Sequence, residues 1–354
     1  VALDRYAHAE AAGHLTSAMA LAERGGDAAV HSLLAERERV NRLARRMDEW
    51  EEDLARLAQS VEHLDDGSRD AALRQGQLAL ARHHYAVWVG HKEDSARHAT
   101  DAVRLARAVD HPAFTAEALL RLGTDRWEEG RFEEAWTSLE EAYQTALLAD
   151  LPAVAAHSLE TQMQLLMFHG GSAARILEGL SRCTELYSAA QDESGKVRTL
   201  NKLLYVPVAQ GVGDYHEAQA YFEQALPIAQ RIGDYAAEML LERNAGLLYT
   251  CQGDAILAGV HFDRATALSI AHKEAWTRPI VENYVGFSLL QQGRLSEAGA
   301  CQMRAATQLR EQQTHLWMVK AITALGWIAF YSGDWREAEA RATESIAESE
   351  AFSE

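Results

Sequence analysis

Fifteen histidines, three cysteines and a large excess of carboxylates are the side chains of this 354-residue chain that could do chemistry. His83, His84, His91 and His98 form the densest histidine group, and zinc ligation is the chemistry such a group could support. Gly90 parts the two pairs with a turn, and neither an HExxH pattern nor a Cys–His spacing accompanies them, so they read as polar helix faces. Cys183, Cys251 and Cys301 are an odd, widely spaced set, which reads as small apolar fillers in a reducing compartment. Gly211-Val212-Gly213 lies between two helical stretches with no strand before it, so it is no dinucleotide loop, and no Walker-type loop occurs elsewhere. Asp48-Glu49-Trp50-Glu51-Glu52-Asp53 and Glu348-Ser349-Glu350 read as solvated helix starts and faces. No local nucleophile–base pair stands out. The chain is therefore read as a non-enzyme without cofactor or metal. A net charge of −18 argues against direct nucleic-acid binding or an anionic membrane surface, and favours basic or neutral partners. No run approaches the ~20 apolar residues of a membrane span, and the expected location is the cytoplasm.

The elements that position these residues are set by a repeat. A chain of this length exceeds one ordinary core, so it divides into domains or forms an array. Gly90 and Gly130 are 40 residues apart, as are Gly213, Gly253, Gly293 and Gly333 in succession. The unit around Gly170 keeps its turn but lacks the aromatic and the alanine, and Gly170 and Gly213 are 43 apart. A second glycine precedes four of the markers by seven residues: Gly123, Gly246, Gly286 and Gly326. Ala102, Ala142, Ala225, Ala265 and Ala305 follow the markers by twelve. Between markers the apolar residues recur at helical spacing. The turn glycine closes one helix and an Asp after it caps the next. The earlier glycine and the alanines mark where two helices cross closely. The turn aromatics Trp50, Phe132, Tyr215 and Trp335 are expected in the core between neighbouring pairs.

The turn glycine, Gly213-Asp214-Tyr215, the alanine five positions on and the Ala245 to Ala265 stretch resemble the tetratricopeptide repeat, here with a period of 40 instead of 34. The longer unit resembles the sensor regions of bacterial AAA/STAND-type regulators of the maltose-activator kind. The resemblance implies an all-α fold, a right-handed α-α superhelix of about eight helix-turn-helix repeats after a leading helix. The implied organisation is a leftover helix at 1–25, a degenerate block at 26–190 and a well-matched block at 191–354. Pro207, inside a helix, is expected to distort the array between the fourth and fifth units.

Inner positions in such repeats fall three before and one, four and five after the helix glycine. That phase points to a ligand or partner groove containing His84, Trp88, Trp127, Glu160, Gln164, Arg243, Asn283, Phe287, Trp327 and Tyr331. Aromatics with directional donors suit a peptide, a protein segment or a small polar effector. The expected function is a non-enzymatic interaction module, the sensor or scaffold part of a larger bacterial signalling or transcription regulator with flanking domains. The alternative is a self-associating oligomerisation scaffold without a small effector.

Overall fold

The computed structural model describes residues 2–22, 27–44, 46–62, 68–212, 214–312 and 314–353, with backbone alone at 2–9, 27–29, 43 and 351–353. Seventeen helices and no strand occur among them. A leading helix, α1 (Ala2–Ala22), is followed by eight pairs, as the period requires. The chain forms two compact units, Val1–Asp192 and Glu193–Glu354. The first holds α1 and four pairs: α2 (Asp27–Leu43) with α3 (Met47–Glu62), α4 (Arg69–Val89) with α5 (Lys92–Ala108), α6 (Pro112–Glu128) with α7 (Phe132–Leu148), and α8 (Pro152–Phe168) with α9 (Ala173–Ala189). The second holds α10 (Glu193–Gln210) with α11 (Tyr215–Ile232), α12 (Tyr235–Cys251) with α13 (Ala255–Ala271), α14 (Thr277–Gln291) with α15 (Leu295–Glu311), and α16 (His315–Tyr331) with α17 (Trp335–Ser353).

Turn chemistry explains the pairing. Gly130 ends α6 at φ 76°, where a Cβ would be strained, and its N–H reaches the Trp127 carbonyl at 2.9 Å while Arg131 N–H reaches Arg126 at 2.8 Å. Asp254 then caps α13 by accepting the Leu257 amide at 3.0 Å, and Asp334 does the same for Glu337 at 3.1 Å. A second left-handed position, between one pair and the next, carries Asp110, Asp150, Gln191 and Lys273 at φ of 48°, 55°, 56° and 56°. Its residue types do not agree, so sequence comparison had nothing to detect.

Within a pair, a small residue on one helix faces a large one on the other. A Cβ on Gly123 would lie 2.7 Å from Leu139 Cγ, and one on Gly246 would lie 2.4 Å from the Phe262 ring. In the fourth pair the arrangement is inverted: Met163 takes the glycine's place, and a Cβ on Gly179 would meet its sulfur at 2.1 Å. The contact is kept while the glycine changes helix, which is why no second glycine precedes Gly170 by seven residues. The marker alanines Ala102, Ala142, Ala225, Ala265 and Ala305 are fully buried. The first pair has no such glycine. There Arg37 Nε donates to Asp53 Oδ1 at 2.9 Å, Asn41 Nδ2 to Asp53 Oδ2 at 2.8 Å, and the Trp50 indole to Glu38 at 2.7 Å, all buried.

Three expectations need correction. Trp50 is core, but Phe132 and Trp335 are exposed and Tyr215 is half-buried. The Phe132 ring lies on the outside of the turns against His169, 3.6 Å between centroids, and Trp335 meets Phe330 edge-on at 5.0 Å. Pro207 does not break its helix, since α10 runs on to Gln210 with the proline inside it, while the boundary of the two compact units at Asp192–Glu193 falls between the fourth and fifth pairs. The left-handed glycine after α10 is Gly211, at φ 64°, and Gly213 lies outside the described residues.

The crossing contact gives a paired test. Gly246→Ala must push Phe262 aside and should cost about 1–3 kcal/mol. Gly259→Ala, in mid-helix with nothing near its Cβ, should be neutral or gain about 0.5–1 kcal/mol. Urea midpoints followed by circular dichroism separate them, and equal effects would mean that close crossing does not hold the pair.

Candidate functional site

In the second unit the first helices of the pairs, α10, α12, α14 and α16, lie side by side. Their shared face forms a cleft of about 330 Å³ lined by Tyr205 and Val208 of α10, Leu247 and Cys251 of α12, Asn283, Tyr284 and Phe287 of α14, and Lys320, Thr323 and Trp327 of α16. A second, more open cleft of about 600 Å³ shares Phe287, Leu290 and Trp327 and adds Gln291 and Tyr331. Lys320, Thr323, Trp327 and Tyr331 recur at three- and four-residue steps, so one stripe of α16 walls both clefts.

Polar groups converge on this apolar surface. Asn283 Nδ2 donates to Gln302 Oε1 at 3.1 Å and Gln302 Nε2 donates to the Asn283 carbonyl at 2.8 Å, which fixes both amides at the floor. The Lys320 ammonium donates to the Tyr205 hydroxyl at 3.2 Å and lies 4.4 Å from the Trp317 ring centroid. The Arg243 guanidinium lies 5.6 Å from the same ring and 5.9 Å from that of Tyr284. Tyr284 is buried, and its hydroxyl lies beside that of Tyr205 without a partner in good hydrogen-bond geometry. Burial, with the neighbouring Tyr205, holds that phenol well above its usual range. Burial also pushes the Cys251 thiol up, which makes it a poor nucleophile.

Of the ten residues expected in a groove, Asn283, Phe287, Trp327 and Tyr331 line the two clefts, and Arg243 stands behind Tyr284. The other five, in the first unit, do not gather round one cavity. Trp88 is half-exposed, Gln164 is half-buried, and Trp127 packs against Phe168 with ring centroids 6.0 Å apart. Glu160 is an interior residue: its carboxylate accepts the Tyr187 hydroxyl at 2.7 Å, and only 2% of its surface is exposed. The position three before the helix glycine is buried in Leu120, Glu160, Arg243 and Asn283 and belongs there to the floor of the helix row, whereas in the last pair Thr323 is exposed. Sequence reasoning missed Tyr205, Tyr284, Trp317 and Lys320. Extending the inner stripe one helical turn toward the N-terminus from Thr323 would have reached Lys320 and then Trp317.

A constellation in the first unit has the residue types of a hydrolase triad. His83 Nδ1 is 3.1 Å from Ser95 Oγ and 3.3 Å from Asp125 Oδ2, and Ser95 Oγ donates to Asp125 Oδ2 at 3.0 Å. A proton relay needs serine and carboxylate on opposite ring nitrogens. Here both crowd Nδ1 and the serine proton is held by Asp125, so the three buried groups tie α4, α5 and α6 together. Neighbouring His84 meets Arg42 of α2 and Arg121 of α6. Burial first and these two cations next lower its pKa to about 2, and its Nε2 is buried without an acceptor. Among the described residues no group of three or more His, Cys, Asp or Glu is placed to hold a metal ion. No helix among them is long and apolar enough to cross a membrane.

No protein-family model and no curated protein matches the chain. Solved structures do. The apo form of the quorum sensor NprR from B. thuringiensis superposes with a TM-score of 0.68 at 11% identity, over 90% of this chain and 87% of that one. A Rap protein complexed with competence and sporulation factor gives 0.60 at 12%, over 99% and 100%. A signal-transduction ATPase with numerous domains and a tetratricopeptide-repeat sensor, from Pyrococcus horikoshii, gives 0.62 at 14%, over 97% of this chain. The fold is that of the tetratricopeptide-repeat proteins. The chain spans about half the length of that ATPase, 52%. In tetratricopeptide terms both clefts lie on the row of first helices.

Acid should weaken the first unit through His84. Its folded pKa is below that of the unfolded chain, so unfolding takes up a proton and stability falls as pH drops from about 6.5 toward 2. The slope contributed approaches ~1.4 kcal/mol per pH unit. His84→Gln should flatten the difference in urea midpoint between pH 7 and 4.5, and an unchanged difference would show that the imidazole is not held neutral.

Proposed function

We propose that the chain is a non-enzymatic recognition module whose second unit binds an extended peptide segment in the cleft formed by α10, α12, α14 and α16. One observation carries this reading: fixed amides at Asn283 and Gln302 stand at the floor of an apolar trough whose rim is Phe287, Trp327 and Tyr331. Amides of that kind pair with peptide backbone groups, and flat aromatic rims cover apolar side chains. Two neighbours in fold support it, since one is named a quorum sensor and another was solved with competence and sporulation factor. The alignment with a multidomain ATPase carrying a repeat sensor supports a place in a larger regulator, in which ligand bridging several pairs favours one arrangement of the array and biases an output domain.

Selection of a random heptapeptide display library on the 354-residue protein tests the site. Selected peptides should bind the parent protein and lose roughly tenfold or more in affinity with Phe287→Ala plus Trp327→Ala, with the helical signal unchanged. Trp88→Ala, in the first unit, should leave affinity within about twofold. If Trp88→Ala or Trp127→Ala weakens binding and the cleft variant does not, the site is misplaced. If no peptide is selected and light scattering shows mass rising with concentration, the array contacts copies of itself instead.

A further inference from the structure

A strongly acidic chain has carboxylates to spare for its cations, and in most of the second unit they are used. Arg264 pairs with Glu242, Arg294 with Glu297, Arg304 with Glu282 and Arg310 with Glu344. Arg243 and Lys320 depart from this pattern. Arg243 is 7% exposed, and its one hydrogen bond among the described residues runs from Nε to Asn244 Oδ1 at 3.2 Å. The rest of its environment is the faces of Tyr284 and Trp317. Lys320 has the Tyr205 hydroxyl and the rings of Trp317 and Tyr205, and no carboxylate. Among the described residues no Asp or Glu lines either cleft.

Unpaired buried cations are costly, and a guanidinium or ammonium against an aromatic face recovers only part of its lost hydration. A buried cation, Arg243, and a half-buried one, Lys320, flank one indole, and beside them the buried Tyr284 hydroxyl has only the neutral Tyr205 hydroxyl as a neighbour and no well-placed acceptor. All three are donors without an anionic partner; Lys320 and Tyr284 line the trough beside apolar side chains, amides, the Cys251 thiol and the Tyr205 and Thr323 hydroxyls, and Arg243 stands directly behind Tyr284. A carboxylate supplies what each of them lacks: negative charge for the cations and a lone pair for the phenol.

We infer that the cleft is selective for acidic peptides, with a carboxylate of the ligand engaging Arg243 and Lys320 beside Trp317 and Tyr284, and with flanking apolar side chains against Phe287 and Trp327. This rests on the peptide-binding reading and specifies its chemistry. It runs against the sign expected from net charge, because the −18 is carried by surfaces that the cleft excludes. The carboxylate can be an Asp or Glu side chain or a free C-terminus.

An array of random heptapeptides tethered through their N-termini, printed once with free and once with amidated C-termini, tests it on the whole chain. Acid-bearing peptides should bind about tenfold more strongly than matched Gln versions. Enrichment confined to the free-carboxyl printing assigns a C-terminal carboxylate, and enrichment in both assigns a side chain; either supports the inference. Lys320→Gln and Arg243→Gln should bring the acid preference, read as the ratio of each acid-bearing peptide to its matched Gln version, to within about twofold. Arg243 is buried and its variant could misfold, so the charge reversal Lys320→Glu, at a half-buried position on the cleft wall, is the second arm and should turn the preference toward basic peptides. Bound peptides without acid enrichment, or enriched in Lys and Arg, overturn the acidic ligand but leave the peptide site standing. An array with no peptide bound above background overturns both.

Discussion

Everything in this molecule depends on how closely the two helices of a pair approach. In the third, fourth and sixth pairs the limit is set by one contact, a residue with no side chain facing a residue with a large one: Gly123 against Leu139, Gly246 against Phe262, and in reverse Met163 against Gly179. Each pair buries its apolar face only against the next, so an error in one crossing would be carried along the stack. The buried alanines twelve residues after each turn glycine serve the same end, because any longer side chain there would separate the layers. With that spacing fixed, the first helices of the second unit, α10, α12, α14 and α16, lie side by side and their stripes become one surface.

Charge is organised on two scales. Over most of the surface, carboxylates and arginines neutralise one another in short, exposed pairs such as Arg131 with Glu134 and Arg294 with Glu297, which contribute little to stability. The surplus negative charge is spread over the remaining faces and keeps the chain in solution. In the second unit's cleft the balance is inverted, with two cations on an aromatic base and no acid in the lining. Net charge describes the first scale and says nothing of the second.

Much of the fold was legible before any coordinates because a stacked array writes its period into the chain. Turn glycines at positive φ, capping aspartates and close-packed alanines each answer to a local rule, so their types recur and can be counted. What recurred only in geometry escaped notice. The left-handed residues between pairs are Asp, Gln, Lys or, at Gly233, glycine, and the glycine of the fourth pair moved to the partner helix. The groove was half legible. Asn283, Phe287, Trp327 and Tyr331 followed from phase alone, but the same phase named Glu160, which the neighbouring Tyr187 hydroxyl draws into the interior. The turn aromatics failed for a similar reason: whether Phe132 or Trp335 is covered depends on what lies across the turn, and that is not a property of the repeat.

By itself, then, the sequence determined the repeat, the number of helices and most of the turns within pairs, since all of these arise from contacts within about 40 residues. Only the tertiary structure decided which of several equivalent rows becomes a cleft and what charge it carries. Tyr205 and Lys320 are 115 residues apart and meet because four first helices stack in register. Arg243, Tyr284 and Trp317 come from three different pairs. A period gives like positions like directions, but the side chains that meet across a row are chosen one repeat at a time.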